Sequence, residues 1–252
     1  STVEADGICL LESSNWQSAF TLPAITGFAI AFTNELPRLR RRYAEVMPSP
    51  IDGSNVLCVA RVFADREEFL DVADEGMAWS AAYWAPQRRE LIAYLPDGGV
   101  AELMRTIRHE AFHQYLSYAT SMIETSPWLN EGYAQYFEDE ESIDWGLGHT
   151  LTLAEYERMS KLIPALLGMD YARFYEGDSL ERHLKYRLAW SIAVFLEKGA
   201  PKVRFEPFRN LKRDYIAALL AHCDPKAATA AAFAGDDKVK LFVAEWLKYW
   251  TD

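Results

Sequence analysis

Apolar positions recur along this chain at two different periods, and the change from one to the other divides it. Over roughly the first hundred residues, short strand-like runs alternate with helical stretches. Gly27 to Phe32 and Val56 to Phe63 are compact apolar runs of strand length and predict strands. Between them Leu36, Leu39, Tyr43 and Val46 recur at helical spacing until Pro48 and Pro50 stop the run. Asp65 is placed to cap a second helix, with Glu68 three residues on as its capping partner and Phe69, Leu70 and Val72 as apolar contacts. Ala81 to Trp84 and Glu90 to Leu95 predict a strand pair, closed by the turn Pro96, Asp97, Gly98, Gly99. That Gly-Gly turn is the expected boundary between an N-terminal α/β subdomain, residues 1–99, and a helical subdomain, residues 100–252.

Beyond the turn the helical period takes over. Met104, Ile107, Ala111, Tyr115 and Tyr118 fall at steps of three and four, the apolar stripe of one long helix. Ser126 before Pro127 is a helix-start signature, the serine able to cap and the proline tolerated at the first helical position. The helix that follows is expected to run to about Glu138. Further helical runs are Leu153 to Leu167, Tyr186 to Lys198, Tyr215 to Ala221 and Val239 to Trp250, with alanine-rich Ala227 to Ala232 also helical. The fold class is therefore α+β.

At 252 residues, half of them apolar, the chain can bury a large core in one domain or two subdomains. No apolar run reaches the roughly 18–20 residues needed to span a bilayer, so no membrane span is expected. The formal charge of −11, from 37 acidic against 26 basic residues, repels phosphate backbones and argues against nucleic-acid partners. The local exception, Arg38, Arg40, Arg41 and Arg42, reads as the solvated face of a helix. Cys9, Cys58 and Cys223 are far apart and form no CxxC pair, so neither a disulfide framework nor a cysteine metal site is indicated. The chain starts at Ser1 without a basic and apolar leader, and the expected compartment is secreted or cell envelope, a leader having been removed.

The chemistry is concentrated in His109-Glu110-Ala111-Phe112-His113. On a helix, histidines four apart project side by side and can reach one metal ion. With 5 histidines in 252 residues, such a sequence arises by accident in roughly one chain in a hundred, before helical context is required. A catalytic zinc takes three protein ligands and keeps a fourth position for water, so a third ligand is needed. Glu131, on the next expected helix, is the candidate, although a glutamate near a helix start is also favoured by the macrodipole alone. Glu110 is rotated about 100° from His109 around the helix and can flank the open position as general base. Tyr186 and His183 are the candidates for stabilising charge on a substrate oxygen. A tyrosine opening an amphipathic helix is equally at home in a core. Gln135 and Glu138 share a face with Glu131 and could support it or face solvent.

HEAFHQ at His109 to Gln114, together with WLNEGYAQYF at Trp128 to Phe137, resembles the HExxHQ and WLNEGxAxYF pair of the gluzincin zinc metallopeptidases, including the aminopeptidase N group. The chain is also similar to bacterial gluzincin-like domains of uncharacterised function, in which a later tyrosine opens a helix resembling YRLAWSIAVFL at Tyr186 to Leu196. The resemblance covers residues 80–200. It implies a thermolysin-like fold, with a mostly antiparallel N-terminal sheet beside the active-site helix, a helical C-terminal lobe and the active-site cleft between them. It also implies one zinc ion on His109, His113 and Glu131, Glu110 as base and Tyr186 as transition-state stabiliser.

Two departures shape the expected substrate. The 17 residues between His113 and Glu131 are one fewer than the aminopeptidase N group carries, and no GxMEN segment precedes the motif to hold a free α-amine. The expectation is therefore an endopeptidase-like zinc hydrolase with a peptide or protein substrate, for which the strand at Ala81 to Trp84 could accept an extended peptide. The alternatives are a zinc-bearing binding or scaffold module without turnover, and a zinc hydrolase of another amide or ester.

Overall fold

Five short apolar strands build one sheet in the order β1-β2-β3-β5-β4 in the computed structural model, which describes residues 2–5, 8–12, 22–51, 58–78, 80–138, 152–202 and 206–252. The strands are β1 (Thr2–Ala5), β2 (Ile8–Glu12), β3 (Cys58–Phe63), β4 (Ala82–Ala85) and β5 (Glu90–Tyr94). The β4–β5 hairpin stands where the sequence predicts a strand pair, and β3 fills the described part of the run that begins at Val56; Val56 and Leu57 lie outside the described residues.

The sheet is mixed, which corrects the expectation of a mostly antiparallel one. β1–β2 and β4–β5 are antiparallel, whereas β2–β3 and β3–β5 are parallel. The cause lies in the connections: a helix separates β2 from β3, and a helix plus β4 separates β3 from β5, so both pairs have the long crossover that parallel pairing needs. A second correction concerns Gly27 to Phe32, which belong to helix α1 (Leu22–Val46) and not to a strand. Buried Phe32, Leu36, Leu39, Tyr43 and Val46 continue one 4-3-4-3 spacing through the expected boundary, and that period outweighs the apolar character of the run.

The chain separates into two compact units, Ser1–Met122 and Ile123–Asp252. The division falls after helix α3 (Gly99–Ala119) and not at the Gly98-Gly99 turn, because α3 lies on the sheet. Residues alternate between the two faces of a strand, and the register puts Phe63, Tyr83, Ala85, Ile92 and Tyr94 on one face. There Phe69 of α2 (Arg66–Leu70) completes an apolar cluster. As expected, Asp65 caps α2, accepting from the Glu68 amide at 2.9 Å. The opposite face presents Ala60, Val62, Ala82, Trp84, Leu91 and Ala93, whose small members leave room for a helix. Gln114 of α3 donates to the Val59 carbonyl at 3.3 Å and Trp84 Nε1 donates to Ser117 Oγ at 3.0 Å. The α1 helix braces α3 from another side: Tyr43 donates to the Arg108 carbonyl at 2.8 Å, and Tyr115 donates to the Met47 carbonyl at 2.7 Å.

The second unit is helical among its described residues. It contains α4 (Pro127–Glu138), α5 (Leu153–Ser160), α6 (Ile163–Leu167), α7 (Tyr171–Tyr175), α8 (Ser179–Val194), α9 (Glu206–His222), α10 (Pro225–Ala232) and α11 (Asp236–Thr251), with a π turn at Phe195–Gly199 continuing α8. The run Leu153 to Leu167 is two helices instead of one. α4 and α8 cross closely at Gly132, where a Cβ would lie 2.5 Å from the Ala189 carbonyl oxygen. Pro127 begins α4, but the Ser126 hydroxyl has another role: it donates to the Pro225 carbonyl at 3.0 Å and lies 2.9 Å from Thr229 Oγ1, tying the start of α4 to α10. Among the described residues, no helix is long and apolar enough to cross a membrane.

Candidate metal centre

α3 buries Leu103, Ile107, Ala111 and Phe112, and His109, Glu110 and His113 are half-buried along the same helix. One helical turn separates the two histidines, whose ring centroids are 4.8 Å apart with planes at 79°. One nitrogen from each ring and one Glu110 carboxylate oxygen all lie within 4.8 Å of one another, the grouping among the described residues suited to hold a metal ion. Zinc bonds imidazole at about 2.0–2.1 Å, so small side-chain rotations would close two imidazoles around one ion.

Glu110 is held from the sheet. In the β4–β5 register, Tyr94 donates to the Ala81 carbonyl, which makes Trp84 and Leu91 a pair whose backbone groups point away from each other. The Trp84 amide therefore leaves the sheet edge, and it donates to Glu110 Oε2 at 2.9 Å. The same residue grips α3 a second time through its indole, bonded to Ser117 Oγ, which in turn donates to the His113 carbonyl at 2.9 Å. Its ring also meets Tyr118 edge-on at 5.8 Å. One strand residue thus fixes the carboxylate and the backbone next to a histidine. Sequence reading singles out Trp84 only as a strand terminus, because amide direction depends on register.

Glu131 and Tyr186 belong to the second unit. Glu131 is the fifth residue of α4, beyond the first turn where the macrodipole favours acids, and it is only 3% exposed. A surface glutamate at a helix start does not describe it. A carboxylate at that depth needs a cation or hydrogen bonds, and Tyr175 supplies one bond, donating to Glu131 Oε1 at 2.7 Å. Tyr175 is 42% exposed as a whole, but desolvation of its hydroxyl first, then the Glu131 charge, pushes the phenol above its ordinary range. One turn earlier on α7, the Tyr171 hydroxyl accepts from Asn130 Nδ2, so adjacent residues of α4 are held by tyrosines four apart on α7.

Tyr186, on α8, packs edge-on against Phe174 at 5.1 Å and lies 6.4 Å from the Tyr175 ring. It therefore flanks the same phenol that holds Glu131. His183, one turn earlier, is exposed. Gln135 and Glu138 bond to each other at 3.2 Å. The α7 tyrosines were missed in the sequence; their signal is the four-residue tyrosine spacing behind a capping aspartate, Asp170, which accepts from the Arg173 amide at 3.0 Å. No protein-family model, no curated protein and no solved structure matches this chain.

Proposed function

We propose that this chain is a zinc-dependent metallohydrolase of the gluzincin type, most simply an endopeptidase-like enzyme acting on peptide or protein substrate. The observation that carries the reading is the grouping on α3 of two imidazoles and a carboxylate, with the carboxylate held by the Trp84 amide. The two imidazoles fit the ion, since imidazole is a zinc ligand, and a carboxylate beside them suits a base.

In this reading His109 and His113 hold the ion, with Glu131 as third ligand. Bound zinc would supply Lewis acidity and a water acidified toward a pKa of about 7. Glu110 takes a proton from the attacking water and returns it to the leaving amine. Its Oε2 accepts from the Trp84 amide, which holds the carboxylate in place. Tyr186 is the proposed donor to the oxygen that gains charge in the transition state. The missing GxMEN segment favours internal peptide bonds over N-terminal ones.

The test is metal analysis combined with cleavage of a peptide library. The protein is expected to carry about one zinc per chain, and Glu110→Gln to keep the zinc while hydrolysis falls by at least about 100-fold. Full activity in metal-free protein contradicts the proposal. Zinc retained with no cleavage of any peptide, ester or other amide would favour a binding module; cleavage of a non-peptide amide or ester alone would keep the chemistry and change the substrate.

A further inference from the structure

We propose that Ser117 is a positioning residue for Glu110, acting through Trp84; the inference rests on the hydrolase reading above. Three observations carry it. The Ser117 hydroxyl accepts from Trp84 Nε1 at 3.0 Å and donates to the His113 carbonyl at 2.9 Å, so it ties the indole to the backbone of a histidine in the candidate metal group. The backbone amide of the same Trp84 donates to Glu110 Oε2 at 2.9 Å. Glu110 and Ser117 stand two turns apart on α3, which puts them on one side of the helix and about 10 Å apart along its axis. Trp84 therefore meets α3 at two points, one before His113 and one after it.

A serine within a helix commonly bonds the carbonyl one turn back, and that bond alone would be a local feature of α3. Ser117 differs because its oxygen also receives a bond from a strand. Among the described residues β4 pairs with β5 alone, so the other side of β4 takes its place from α3. Attachment at the amide alone lets the end of the strand swing about Glu110. The indole bond at Ser117, with the Trp84 ring edge-on to Tyr118 at 5.8 Å, removes that freedom. A carboxylate that takes a proton from water works best when fixed in direction, since small misplacements cost rate. Ser117 stands outside the His109, Glu110 and His113 group, so its effect falls on turnover and not on metal binding.

The experiment measures zinc content, kcat, KM and Tm of the full chain, on the library member that the wild type cleaves fastest, for wild type, Ser117→Ala, Ser117→Thr, Trp84→Phe and the Ser117→Ala/Trp84→Phe double variant. Ser117→Ala is expected to lower kcat about three- to tenfold, with KM within about twofold and zinc content unchanged. Ser117→Thr keeps the hydroxyl and is expected to bring kcat back to within about twofold of wild type. Ser117→Ala and Trp84→Phe remove the same bond, so the double variant is expected to lose no more than the worse single variant. Wild-type kcat in Ser117→Ala, or losses that multiply in the double variant, overturns the role while the hydrolase reading stands. Where Ser117→Ala unfolds below the assay temperature, Trp84→Phe reports the same bond, and wild-type kcat there overturns the role equally. Neither zinc nor hydrolysis in the wild type overturns the role together with the hydrolase reading.

Discussion

A carboxylate that is to accept a proton, the role proposed for Glu110, has to be held in place without being neutralised, and a neutral backbone amide holds Glu110. The partner is the edge-strand residue Trp84, 26 positions away in sequence. Trp84→Phe keeps the amide and loses the indole bond to Ser117; hydrolysis is expected to fall no more than about tenfold with zinc content unchanged, against the near-complete loss in Glu110→Gln. Steady-state assays on the two variants measure the difference. Tyr115 gives a prediction independent of activity. Burial, partly offset by the Arg40 charge, pushes its phenol up to about 12. The folded pKa lies above the unfolded value near 10, so the stability it contributes is complete below pH 10 and is lost as pH rises through 12. Tyr115→Phe is expected to flatten that part of the alkaline stability curve in denaturant titrations from pH 9 to 12. At this scale the sequence shows the candidate metal group and hides the residues that hold it. His109, Glu110 and His113 are legible because four-residue spacing on a helix is local, whereas the contacts of Trp84 and Tyr175 exist only once distant segments have met.

Elements succeed or fail as readings according to whether their signal is local. The β4–β5 hairpin, the α2 cap and the long α3 helix follow from adjacent residues. Gly27 to Phe32 misled because an apolar run of strand length is also one turn of a buried helix, and only the spacing continued through Tyr43 decides between them. Parallel and antiparallel strands share a period of two, so the mixed sheet was not readable from alternation. β1 and β2 carried too few residues to stand out, and α7 is only five residues long. The α4–α8 crossing yields a sharp test. Gly132→Ala would put a methyl group 2.5 Å from the Ala189 carbonyl, and the helices must part. The expected cost is about 1–3 kcal/mol, read as a fall of several degrees in Tm. Near the end of α8, Glu197 on the π turn accepts from Tyr133 at 2.7 Å and pairs with Lys212, both charged side chains being largely buried. Lys212→Met strands the carboxylate and is expected to cost on the order of 3 kcal/mol in urea unfolding.

For the whole molecule, composition sets limits and leaves the substrate open. The charge of −11 makes polyanions poor partners, and among the described residues no helix can cross a membrane. The α+β class was legible from the change in apolar period. The place of α3 was not, because a helix with a buried stripe can pack on either neighbour, and here it belongs with the sheet. The central claim is that His109 and His113 hold one zinc ion. Metal analysis of dialysed protein tests it most directly: about one zinc per chain in wild type and Glu110→Gln, and a loss of at least about tenfold in zinc affinity in His109→Ala and His113→Ala. Zinc content in wild type no higher than in the two alanine variants would contradict it.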